Sequence, residues 1–140
     1  MIAYLDTSSL VKLYVEEKGS PAIADLVRSS EVTATSLVAY AEARAAFARR
    51  FREKAFTRDE YEILTATFDD DWAHYLKVGV TGTLLRLAGD LAETHGLRGF
   101  DAIHLAASLT LKRELTAPIL FSCFDTRLQN ASAREGLDQP

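Results

Sequence analysis

The run Met1-Ile2-Ala3-Tyr4-Leu5 ends on Asp6, and a second apolar run, Pro118-Ile119-Leu120-Phe121-Ser122-Cys123-Phe124, ends on Asp125. A strand that is apolar at successive positions has no face to give to water. Such strands belong in a sheet covered on both sides, which favours parallel strands with helices as their connections. Glu31 to Thr35 and Leu76 to Val80 read as two further strands, the second weakened by Gly79.

Helical patterns fill the intervals. Thr7 and Ser8 are caps for a helix through Leu10, Val11 and Tyr14. Ser20 reads as an N-cap with Pro21 at the first helical position. Ser36 reads as the cap of a long helix from Leu37 to about Lys54, small and apolar at first and basic later. Thr57 and Glu60 form a capping-box pattern. A helix from about Thr83 is stopped by Gly96, and Asp101 opens another that is apolar nearly all round and therefore buried. A last amphipathic helix runs from Thr126 to Glu135. This alternation predicts an α/β fold: a single domain over residues 1–140, three layers deep (α/β/α), with a central parallel sheet of about four strands flanked by helices.

Composition narrows the function. With 140 residues, 48% of them hydrophobic, the chain suits one domain with its own core. A net charge of -4 argues against gripping nucleic acid by bulk electrostatics, but not against a nuclease whose metals and local arginines meet the phosphates. The single Cys123 excludes an internal disulfide and suits a reducing compartment. With no signal-peptide pattern and no stretch long enough to span a bilayer, the expectation is a cytoplasmic protein without a membrane partner.

Four acids, Asp6, Glu42, Asp101 and Asp125, lie beside element ends within apolar or small-residue stretches. Desolvating a carboxylate costs several kcal/mol unless a cation compensates. In open α/β sheets, ligands bind outside the carboxyl ends of the strands, where Asp6 and Asp125 fall. Taken singly, Asp6, Asp101 and Asp125 read equally well as helix caps or first-turn acids. Glu42 reads as an exposed helical residue, or as one projecting along the rim from a closely packed Ala-rich helix. One shared site explains all four more economically. Hard oxygen donors with no thiolate and few imidazoles suit Mg²⁺ or Mn²⁺. Metals held this way activate water for phosphodiester hydrolysis. No paired histidines suggest cleavage through a ribose hydroxyl, so the expected ends are a 5′-phosphate and a 3′-hydroxyl.

Thr7, Ser8 and His104 are candidates for a supporting layer around the acids. His104 reads as a hydrogen-bonded structural histidine more than as a metal ligand, on a polar line with Asp101 and Ser108. Arg98 and Arg127, close in sequence to Asp101 and Asp125, are the best candidates for RNA phosphate contacts. Arg44, Arg49, Arg50 and Arg86 serve equally well as surface ion pairs. Asp69-Asp70-Asp71 reads as a solvated helical face, and Cys123 as a small core residue.

Together these segments resemble the PIN-domain family, and within it the VapC-type toxins of toxin–antitoxin pairs. The likeness rests on Tyr4-Leu5-Asp6-Thr7-Ser8-Ser9-Leu10-Val11-Lys12-Leu13-Tyr14, on Glu42 in its Ala-rich helix, and on Leu97-Arg98-Gly99-Phe100-Asp101-Ala102-Ile103-His104-Leu105-Ala106. It continues through Phe124-Asp125-Thr126-Arg127-Leu128 and Glu135-Gly136-Leu137. The resemblance implies that Asp6, Glu42, Asp101 and Asp125 form an acidic metal site on one sheet edge, with the first strand between the second and fourth. It implies a Mg²⁺- or Mn²⁺-dependent endoribonuclease, commonly a homodimer, held inactive by a small VapB-type antitoxin. Cys123 stands where many members carry Ser or Thr, and the chain stops where many add a final strand.

Other functions fit less well. A haloacid-dehalogenase-type phosphatase requires a second Asp where Ser8 stands, and no P-loop is present. The alternative is a degenerate PIN domain serving as an RNA-binding or assembly module, or a housekeeping PIN nuclease without an antitoxin.

Overall fold

The computed structural model describes the whole chain from Met1 to Pro140. Its four strands are β1 (Ile2–Leu5), β2 (Val32–Ser36), β3 (Leu76–Val78) and β4 (Ile119–Ser122). They lie in the order β3-β2-β1-β4 with every neighbouring pair parallel. Alternation along β1 divides its side chains between two cores. Ile2 and Tyr4 join Ile119 and Phe121 on one face, whereas Ala3 and Leu5 pack into the other.

The first core is closed by α5 (Gly82–His95), α6 (Gly99–Glu114) and α7 (Thr126–Arg134), through Leu84, Leu91, Leu105 and Leu128. The second is closed by α1 (Thr7–Val11), α2 (Ser20–Ser29), α3 (Val38–Arg52) and α4 (Arg58–Trp72), through Leu10, Ile23, Phe47 and Phe68. This is the expected three-layer α/β/α fold with a four-stranded parallel sheet. No helix is long and apolar enough to cross a membrane.

Several element ends differ from the sequence expectation, each for a local reason. Asp6, rather than Thr7 or Ser8, caps α1, because its carboxylate accepts the Ser9 amide at 2.9 Å. The helix also stops at Val11, short of Tyr14. Gly19, at φ 95°, is the N-cap of α2. Ser20 instead ties the preceding loop, accepting from Glu17 N and donating to Val15 O. Ser36 ends β2, and Leu37 occupies the cap position of α3. Asp101 lies within the first turn of α6, which starts at Gly99. The Thr57–Glu60 capping box forms at the start of α4. After α7 there is no fifth strand; a single parallel bridge joins Asp138 to Leu120, with Phe121 N donating to Asp138 O at 2.9 Å.

The strand order places the site. On leaving β1 the chain crosses to β2 on one side, while β4 arrives on the other. The carboxyl ends of β1 and β4 therefore flank the switch point where open α/β sheets bind ligands. Asp6 follows β1 directly, and Asp125 caps α7 just after β4, accepting from Leu128 N at 2.9 Å.

Candidate active site

Asp6, Glu42, Asp101 and Asp125 line one cavity of about 480 Å³ at this sheet edge, together with Thr7, Ser8, Arg98 and His104. Four separate elements deliver the acids: the β1–α1 junction, α3, the first turn of α6 and the cap of α7. Their environments differ. Asp6 is only 5% exposed, Glu42 and Asp101 are partly buried, and Asp125 is exposed. Asp6 Oδ1 accepts from Ser8 Oγ at 2.7 Å and from Ser9 N, and no protein donor is bonded to Oδ2. Burial pushes the Asp6 carboxyl above its ordinary range, and the bonds from Ser9 and Ser8 offset only part of this.

Glu42 is held by a chain of bonds running into the core. Thr7 Oγ1 donates to Glu42 Oε1 at 2.6 Å, and His104 Nε2 lies 3.1 Å from both that oxygen and Thr7 Oγ1. Behind the ring, Tyr4 Oη sits 2.9 Å from His104 Nδ1. Tyr4 is fully buried and this is its only side-chain partner, so donation from its hydroxyl to Nδ1 satisfies both atoms. The ring nitrogen facing Glu42 then carries the N–H. Burial alone would raise the Glu42 carboxyl, but the bonds from His104 and Thr7 outweigh it and hold the group below its usual value. Glu42 is therefore an anion near neutral pH.

This hydrogen-bond accounting is testable by Tyr4→Phe, which keeps the ring stacked on Phe121 but strips His104 Nδ1 of its donor. A buried unpaired acceptor costs about 1–3 kcal/mol, so urea denaturation should show a loss of that size. An unchanged midpoint and slope would refute the assigned donor.

The cations are few. Arg98 Nε meets Asp101 at 3.1 Å, and this pairing raises the pKa of an otherwise exposed guanidinium. Arg127 donates to Gly96 O at 3.0 Å, and both arginines line an adjoining cavity with Asp101 and Asp125. Lys12 and Glu17, absent from the sequence-based site, also line the acidic cavity, but they neutralise one another at 3.0 Å, with Arg50 closing on Glu17 at 2.6 Å. The one-turn spacing of Ser8 and Lys12 was a readable signal; the pairing with Glu17 across a loop was not. Tyr4 was also overlooked, although it is the one polar side chain inside β1. Other polar candidates lie elsewhere. Ser108 bonds to its own helix through Leu105 O, while Asp69 and Asp71 accept from Tyr40 and Tyr14. Cys123 is buried, which pushes its thiol up to about 12.

Asp6 and Asp125 form no ion pair with any protein cation, so the cavity holds more negative charge than the chain neutralises. That deficit and an all-oxygen donor set fit a hard divalent cation. The ligand sphere is not preassembled: no three acid, histidine or cysteine groups stand close enough to hold an ion as they are. Mg²⁺ commonly keeps several of its waters and binds through one or two carboxylates, so a spread cluster is compatible with it.

The sequence profile of the PIN domain matches residues 3–133. Ribonuclease VapC45 of Mycobacterium tuberculosis (strain CDC 1551 / Oshkosh) is 37% identical over 110 residues, covering 79% of this chain and 76% of that protein. Among solved structures, FitAcB from Neisseria gonorrhoeae superposes with a TM-score of 0.67 at 16% identity, covering 99% of this chain and 96% of the other. A toxin–antitoxin complex from Klebsiella pneumoniae gives a TM-score of 0.57 at 15% identity, covering 84% and 83%. At these identities the solved structures speak for the fold. The profile, spanning nearly the whole chain, and the VapC relative carry the assignment: this protein belongs to the PIN-domain family.

Proposed function

We propose that this chain is a Mg²⁺- or Mn²⁺-dependent endoribonuclease that acts as the toxin of a toxin–antitoxin pair. The observation that carries the reading is the convergence of four carboxylates from four elements on one cavity, with Asp6 desolvated and unpaired. Capping and pairing explain Asp6, Asp101 and Asp125 singly, but not their convergence with Glu42 on one cavity or the burial of Asp6 without a cation partner, which is costly. The similarity to a VapC ribonuclease and to a structure of a toxin–antitoxin complex supports the reading.

Asp6, Glu42, Asp101 and Asp125 would hold the cation, directly or through its waters. A divalent cation bound there would supply Lewis acidity for activating water and positive charge against that developing on the phosphate. Thr7, Ser8 and His104 fix the carboxylates, so little reorganisation accompanies reaction. The exposed Arg98 and Arg127 hold the phosphates of the RNA on either side of the cut. Water would add to phosphorus as the P–O3′ bond breaks, its hydroxyl staying on the 5′-phosphate and its proton passing to the departing O3′.

A small VapB-type antitoxin is the proposed partner, and a homodimer the proposed assembly. The products provide the test. Purified protein with Mn²⁺ and single-stranded RNA should leave 5′-phosphate and 3′-hydroxyl ends that RNA ligase can rejoin. Ends carrying a 2′,3′-cyclic phosphate would contradict the mechanism, since they require attack by the ribose hydroxyl.

A further inference from the structure

Of seven phenylalanines, five tyrosines and one tryptophan, only Phe100 and Phe124 are exposed, at 57% and 44%. Each directly precedes a site acid, Asp101 or Asp125. The remaining aromatic residues are buried or half-buried. A single exposed apolar residue is ordinary on a protein surface; what sets these two apart is that both exposed rings stand on the rim of the acidic site.

The two rings bracket the acids. Phe100 lines a cavity with Glu42, Arg98 and Asp101, and all three of these also line the acidic cavity. Phe124 lines the acidic cavity and the one beyond it, which contains Arg98 and Arg127. The order along the rim is therefore ring, acids, ring, with guanidinium groups alongside. Phe124 is also held in place. Lys12 Nζ lies 4.2 Å from its ring centroid, and a Cβ at Gly19 would come within 2.9 Å of Cε1. The glycine thus makes room for the ring to lie against the α1–α2 loop. Even so, 44% of Phe124 stays exposed.

We propose that Phe100 and Phe124 are stacking platforms for the two nucleobases flanking the cut phosphate, so that the substrate must be unpaired at the cleavage site. This rests on the ribonuclease reading above. Stacking suits RNA because every base has a π-face, whereas base pairing within a duplex withholds those faces from the protein. The arginines meet the backbone phosphates, and the rings select single strands without reading sequence. A peptide partner is the less favoured occupant, because Arg98 and site carboxylates line the cavities through which both rings adjoin the acids.

The test compares Phe100→Leu, Phe124→Leu and the matching Trp variants with wild type, using a single-stranded RNA oligonucleotide and the same sequence annealed to its complement. Leu keeps the apolar character and, at these exposed positions, the fold, but removes the ring; Trp keeps a ring. Each Leu variant should raise KM for the single strand about tenfold and leave kcat within a few-fold, while Trp retains wild-type KM. The preference for single strand over duplex should shrink in both Leu variants. Equal KM in wild type, Leu and Trp variants, with cleavage intact, overturns the stacking role and leaves the nuclease reading standing. The same holds if Leu variants lose only a protein partner, which would assign the rings to that contact. Failure of the wild type to cut any RNA would instead overturn the ribonuclease reading and the stacking role with it.

Discussion

Asp6→Asn is expected to lower RNA cleavage by at least about a thousandfold while making the protein more stable at neutral pH. The two effects have one origin. Asp6 is nearly enclosed, and burial raises its carboxyl above the ordinary 3.8. A carboxyl whose pKa is raised in the folded state gives up its proton sooner in the unfolded chain. Native stability therefore falls as pH climbs from the ordinary value through the raised one, and the wild type carries this cost above the ordinary carboxylate range. Asparagine carries no such penalty. Its side-chain oxygen can still accept from Ser8 Oγ and Ser9 N, so the α1 cap survives. The melting temperature of the variant should exceed that of wild type at pH 7, with the difference closing at pH values below the ordinary carboxylate range. Added Mn²⁺ should raise the wild-type melting temperature and move that of the variant much less. A variant less stable than wild type at pH 7 would mean that the Asp6 charge is already compensated within the protein.

Phe68→Ala is expected to cost about 3–5 kcal/mol, the largest stability loss from a single side chain outside the site. Phe68 is the one fully buried residue of α4. Its ring contacts Tyr14, Phe47, Tyr40 and Trp72, with centroids 5.1, 5.2, 5.5 and 5.7 Å away. It thereby joins α4 to α3 and to the turn after α1. Truncation leaves a void that the flanking aromatic rings, already packed on one another, cannot close cheaply. Urea denaturation should report the loss. Because no α4 residue lines the acidic cavity, cleavage below the lowered transition should persist. A cost under about 1 kcal/mol would show that α4 is not anchored through this ring.

How much of this was legible in the sequence depended on whether the signal was local. β1 and β4 were readable because parallel strands buried on both faces produce unbroken apolar runs. Asp6 and Asp125 followed from those runs, since a carboxylate directly after such a strand falls at the ligand-binding rim. Cap positions were less secure. Thr7, Ser8 and Asp6 all have capping chemistry, and only the fold shows that the Asp6 carboxylate reaches Ser9 N. Ser36 has the composition of a cap, yet pairing with β3 draws it into the sheet, opposite Val78. Glu42 had the weakest local case because its evidence is nonlocal: the bonds from Thr7 and His104 span 35 and 62 residues. Tyr4 and the exposed rings of Phe100 and Phe124 escaped notice for a related reason. An aromatic in an apolar or Gly-containing segment reads as core until the layers on each side are known.

The most direct measurement is cleavage of single-stranded RNA by the purified chain after exhaustive chelation, followed by stepwise return of Mg²⁺ or Mn²⁺. The expected result is no cleavage without the cation, recovery in wild type as it is added, and no recovery in Asp6→Asn at any concentration. Undiminished cleavage in excess chelator, or equal activity in wild type and Asp6→Asn, would contradict a cation-dependent site built on these four acids.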